Sequence, residues 1–154
     1  MLDVKVINAV IEALTGTFKA ASKTTISLGK PQMLRDIGDS FQIITTIGFN
    51  GVLEGNLIYS MPEDVAVSIV TNMMGGMMQI DKIDDMALSA IGELANMISG
   101  AIAISLEKTG FPINITPPSV LNGEKISVSV HGTILKFPGK LLDDKEMDVF
   151  LVVK

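Results

Sequence analysis

The chain reads as an α+β domain in which a mixed or antiparallel sheet packs against long helices and the two halves are pseudo-twofold copies of one pattern. Three observations lead there. Apolar residues recur at helical spacing over 4–21 and again over about 84–108. β-rich stretches follow each of those helices. Ile7-Asn8-Ala9-Val10-Ile11-Glu12-Ala13-Leu14-Thr15-Gly16 lies over Ile91-Gly92-Glu93-Leu94-Ala95-Asn96-Met97-Ile98-Ser99-Gly100 without a gap. The element order is then α-β-β-β-α followed by α-β-β-β-β, a single domain over 1–154 with halves of about 1–78 and 79–154.

Taken in order, Val6, Val10, Leu14 and Phe18 mark an amphipathic first helix that ends before Lys23. An extended run, Thr25 to Leu28, stops at Gly29-Lys30-Pro31. Strands over 41–49 and 52–60 flank Asn50-Gly51, the pair a type I′ hairpin turn favours. Ser60 and Glu63 have the spacing of a capping box for a helix that stops at Gly75-Gly76. The acidic segment Asp81–Asp85 suits the positive end of the long second-half helix, which Gly110 terminates. Strands are expected near 113–116, 124–131 and 133–137, the last two turning at His131-Gly132. A final strand near 147–153 offers a candidate sheet edge.

Composition narrows the function classes. The 154 residues suffice to bury a sizeable core, and 47% of them are hydrophobic but only 5% aromatic, so that core rests on aliphatic side chains and Met. The net charge is −5 and no Lys/Arg cluster exceeds a pair, which leaves nucleic-acid binding without its electrostatic footprint. There is no cysteine, so thiol chemistry and Cys-based metal sites are excluded, in keeping with a reducing cytoplasm. Asp3, Lys5 and Glu12 interrupt any signal-like apolar run, and no uninterrupted apolar stretch reaches the roughly 18–20 residues of a spanning helix. The expectation is a soluble protein without a membrane partner.

The chemistry-bearing feature is the long second-half helix. At about 100° per residue, Ser89, Glu93, Asn96 and Gly100 fall within an arc of roughly 60°. Ala87, Ile91, Leu94, Ile98 and Ile102 collect on the opposite, core-facing side. Glu and Asn on an exposed helical face are often no more than solvated. Here, though, Asn is a mediocre mid-helix residue, and Gly100 costs about 1 kcal/mol relative to Ala. A helix carrying both on its open face serves something besides its own stability.

Ser89-x-x-x-Glu93-x-x-Asn96, followed 22 positions later by Pro118, resembles the signature of the CheC/CheX/FliY family of chemotaxis phosphatases, and Ala90 through Gly100 is closest to its CheX members. Further matches lie at Val6-Ile7-Asn8-Ala9, Gly29-Lys30-Pro31, Gly48-Phe49-Asn50-Gly51, Gly55, and Met61 through Ala66, so the resemblance spans nearly the whole chain. It implies hydrolysis of the aspartyl phosphate on a CheY-like response regulator in two-component signalling. By resemblance, Asn96 holds the attacking water and Glu93 pairs with the receiver's active-site lysine, while Ser89 and Gly100 border the contact. The first helix has Ala9 where Glu93 stands and Glu12 where Asn96 stands, so the resemblance gives one site per chain. It further implies a homodimer joined through strands, no metal or cofactor on this chain, and Mg2+ on the partner receiver. The alternative is a non-catalytic module that binds a phosphorylated regulator in chemotaxis or flagellar switching. The intact Glu93/Asn96 pair favours the enzyme.

Other candidates have simpler explanations. Met73, Met74, Met77 and Met78 are expected to pack the helix end around Gly75-Gly76, and the lone His131 to sit in a turn. Asp81, Asp84 and Asp85 read as helix-capping groups, and Asp143-Asp144-Lys145-Glu146 as a solvated turn.

Overall fold

The computed structural model describes residues 2–77, 80–124 and 126–154, with the backbone alone at Asp143. The first half runs α1 (Val4–Ser22), β1 (Ser27–Leu28), β2 (Gln32–Leu34), β3 (Gly38–Asp39), β4 (Ile43–Gly51), β5 (Gly55–Met61) and α2 (Glu63–Met73). The second runs α3 (Asp85–Thr109), β6 (Ile113–Ile115), β7 (Ser119–Asn122), β8 (Ser127–Val128), β9 (Thr133–Lys140) and β10 (Glu146–Val153), with a 3-10 turn at Leu142–Asp144. The expected boundary between halves, at 78–79, lies outside the described residues, as does Met78.

Every strand pairing is antiparallel. The main sheet runs β1-β9-β10-β5-β4-β6, with β2 also on β9 and β7 also on β4, while β3 and β8 pair in a separate ribbon. This order reads the same from both ends. β10 meets β5 at the centre, each is flanked by the long strand preceding it, and each of those carries two short strands from just after α1 or α3. The pseudo-twofold expectation therefore holds at the level of topology.

Alternation builds two layers on this sheet. Ile43, Ile47, Leu57, Tyr59, Leu135, Phe137, Val149 and Leu151 face the helices and join Val10, Leu14, Phe18, Ile91, Leu94, Ile98 and Ile102 in the principal core. Ile44, Ile58, Ile134, Phe150 and Val152 face the other way, under Leu34, Ile37, Ile126 and Val128.

Several local expectations are corrected. Asn50 and Gly51 do not form the hairpin turn: they extend β4 to pair with Asn114 and Ile113, and the chain reverses through 52–54. Gly51 (φ +144°) is required there because a Cβ would come within 2.5 Å of the Pro112 carbonyl oxygen. Ser60 is no cap either. It is buried in β5, where its hydroxyl accepts from the Phe41 N–H at 3.0 Å. Pro62 precedes α2 without a side-chain cap, and Gln42 Oε1 accepts the Glu63 N–H at 3.0 Å instead, from 21 residues away. The strand expected over 124–131 shrinks to Ser127–Val128 and pairs with β3, so no hairpin forms at His131-Gly132. β2, β3 and β7 have no counterpart among the expected strands. The last strand is no edge: β10 lies between β5 and β9. Met73 and Met74 do pack on the core, but Met77 is 91% exposed.

On the outer face, Lys136 Nζ lies 3.7 Å from Asp148 Oδ2. Burial pushes the Asp148 carboxyl above its usual range, and Glu146 adds to the rise while Lys136 opposes it. The folded state thus holds this proton more tightly than the unfolded chain. Asp148 therefore makes its most favourable contribution below the unfolded carboxylate pKa, and that contribution is lost as pH rises through the raised folded value. Urea midpoints of wild type and Asp148→Asn are expected to diverge in wild type's favour as the solution is acidified across that window. A difference that does not change with pH defeats this assignment.

Candidate active site

Asp84 begins α3 by accepting the Ala87 N–H at 2.9 Å, and Gly110 ends it in the left-handed region (φ +100°). The helix packs chiefly along α1, with further contacts to α2, β4, β6 and β7. Ala87, Ile91, Leu94, Ile98 and Ile102 are buried, as the periodicity requires. Two more contacts fix its position. Tyr59 on β5 and Ser99 share a buried hydrogen bond of 2.8 Å. A Cβ on Gly92 would lie 3.1 Å from Val120 Cγ2 and 3.7 Å from Pro118 Cγ, so the glycine lets β7 and the preceding proline close against the helix. The family resemblance pairs Pro118 with the motif; its packing beside Gly92 is the physical link. The Tyr59–Ser99 bond was not legible, because Ser99 occupies an apolar row and its partner is 40 residues away.

Above this anchored face, Ser89 and Glu93 are exposed and Asn96 and Gly100 half-buried, together on one side. Among the described residues, neither Glu93 nor Asn96 has a side-chain hydrogen bond or ion pair within the chain. Around Gly100 nothing would lie within 4 Å of a Cβ, so packing inside this chain does not call for glycine. Glu12 on α1 is exposed, but Ala9, which the repeat places opposite Glu93, is buried. A carboxylate at Ala9 would face the core, so α1 lacks both the residues and the exposure. No three described His, Asp or Glu side chains converge as a metal-ligand set.

The Tyr59–Ser99 bond has a measurable consequence. Burial drives the Tyr59 phenol far above its usual pKa, so it stays protonated and can donate to Ser99. Ser99→Ala strands a buried hydroxyl and is expected to cost about 1–3 kcal/mol in chemical unfolding. Unchanged stability speaks against the bond.

The chain is thus an α+β domain with a pseudo-twofold antiparallel sheet and one carboxylate–amide pair on the open side of its longest helix. A crystal structure of a CheC-like superfamily protein from Shewanella sp. PV-4 shares the fold, with a TM-score of 0.88 at 21% identity over 99% of each chain. The family model for chemotaxis phosphatase CheX matches residues 43–138, and the CheY-P phosphatase CheX of Thermotoga maritima is 37% identical over 99% of this chain and 98% of its own. The chain belongs to the CheX family of chemotaxis phosphatases. A crystal structure of a CheX-CheY-BeF3-Mg2+ complex from Borrelia burgdorferi is similar as well, with a TM-score of 0.81 at 25% identity, covering 96% of this chain and 97% of that one.

Proposed function

We propose that this chain hydrolyses the aspartyl phosphate of a CheY-like receiver domain, using the single Glu93/Asn96 pair on α3. The observation that carries this reading is the pair itself, bonded to none of the described residues and together on the open side of a helix anchored from behind. The Thermotoga relative, described as a CheY-P phosphatase, supports it. In the proposed reaction Asn96 holds a water in line with phosphorus, its amide accepting from and donating to that water. The water oxygen bonds to phosphorus as the bond to the aspartyl oxygen breaks, the receiver carboxylate leaves, and the water's proton passes to the phosphate. The acyl phosphate is already activated, and the receiver supplies Mg2+ and its lysine, so orientation is the main service left to the phosphatase. Glu93 pairs with that lysine and sets the docking geometry, with Ser89 and Gly100 bordering the contact. The same reading places the chain in the cytoplasm beside its receiver, in a chemotaxis or other two-component pathway. It also makes it a homodimer through strands rather than the active face; among the described strands, the sheet margin that does not pack on α3 is β1/β2.

The test is phosphate release from receivers of the same genome, phosphorylated with a small phosphodonor, with and without this protein. Acceleration with at least one of them is expected; equal decay with every receiver rejects the reading. Glu93→Ala is expected to weaken receiver association about thirtyfold or more, as losing one side of a buried charge pair does. Unaltered association removes Glu93 from the docking role.

A further inference from the structure

Glu93 is the only ionisable side chain between Met86 and Leu106. By length and composition α3 could cross a membrane, yet it serves as a core helix here, and 44% of its most apolar window is buried. Much of what remains outside is apolar. Met86 is 49% exposed, Met97 43% and Ile104 58%. Helical geometry puts these three within about 20° of one another, directly beside Glu93 and on the side away from Asn96, along about 27 Å of the axis. Exposed apolar side chains aligned on one helical face, with Glu93 between the first two, mark a surface that is covered in the working state.

We infer that Met86, Met97 and Ile104 form the specificity-determining seam of the receiver-docking surface, covered by an apolar strip of the receiver beside its phosphorylated aspartate. This rests on the proposed phosphatase function. Two observations choose the occupant. The row borders Glu93, and Met97 stands one turn beyond it, so a receiver whose lysine pairs with Glu93 while its aspartyl phosphate reaches Asn96 lies against Met97. Between Met86 and Leu106 the helix offers that face one carboxylate and no other charge, which calls for a partner presenting one cation there, as the receiver's lysine provides. A second copy of this chain fits poorly. A twofold, antiparallel pairing centred on the row would bring two Glu93 carboxylates close together in an apolar seam with no cation. Met side chains, being flexible and polarisable, suit a surface that must fit one receiver and repack against others badly.

Met97→Lys and Ile104→Lys place charge at exposed positions and leave the core untouched. Their affinity for the beryllofluoride–Mg2+ form of the receiver that wild type dephosphorylates is measured by titration calorimetry, with Leu142→Lys as an exposed apolar control outside this face. A loss of about tenfold or more for each α3 variant, with the control unchanged, is expected. If wild type acts on a receiver but both variants bind it as wild type does, the seam is refuted while the phosphatase reading stands. If no receiver is dephosphorylated, both fall. If the variants instead dissociate a dimer in sedimentation velocity at unchanged receiver affinity, the seam belongs to a second copy and the inference is overturned.

Discussion

Asn96→Ala is expected to lower the rate of receiver dephosphorylation at saturating receiver by roughly a hundredfold or more, because an unheld water samples orientations that do not attack phosphorus. The scaffold should not suffer. Asn96 is half-buried and, among the described residues, bonds nothing in the chain, and alanine is the better mid-helix residue. The urea midpoint should therefore stay level or rise slightly, and receiver affinity should survive, since Glu93 and the apolar seam remain. Asn96→Asp separates the amide's donor from its size. A carboxylate of the same shape accepts but cannot donate, and it repels the phosphoryl group, so it should be no better than alanine. A variant Asn96→Ala that keeps wild-type turnover while binding normally would take the water-holding role away from this residue and leave α3 a docking helix.

What was legible in the sequence was whatever local periodicity or a cap determines. α1 and α3 show their buried faces directly through Val10, Leu14 and Phe18 and through Ile91, Leu94 and Ile98, and Asp84 and Gly110 mark the ends of α3. The candidate pair was legible for the same reason, because helical phase alone puts Glu93 and Asn96 on one open face. What escaped was set by distant chain. Asn50-Gly51 looks like a turn locally, but its strand continues because β6 lies alongside and pairs with it. Ser60 resembles a cap until β5 buries it. β7 is four residues long and exists by virtue of β4, against which Val120 and Leu121 pair with Thr45 and Ile44. The apolar seam on α3 went unread because Met and Ile on a helix are ordinarily assigned to the core, and only the packed structure shows which of them the core has no room for.

Gly55→Ala is expected to be the most damaging of these substitutions to the fold, at about 3 kcal/mol or more. Gly55 opens β5, opposite Val153 of β10 on one side and Phe49 of β4 on the other. A Cβ there would overlap the Val152 carbonyl oxygen and come within 3.1 Å of the Phe49 ring. The first obstacle is backbone in a central strand, so no rotamer change relieves it. Relief requires parting β5 from β10, the seam on which the pseudo-twofold arrangement is centred. In a domain of this size the loss should lower the thermal midpoint by roughly 6–12 °C, followed by far-UV circular dichroism. Gly100→Ala makes the opposing comparison. Its Cβ meets nothing within 4 Å, so up to about 1 kcal/mol of stability should be gained. If the receiver approaches α3 as closely as the open face allows, the same methyl should slow dephosphorylation even as it raises the midpoint. A Gly55→Ala protein as stable as wild type would show that β5 and β10 are not held at this separation. A Gly100→Ala protein both more stable and fully active would mean that the receiver leaves space above Gly100.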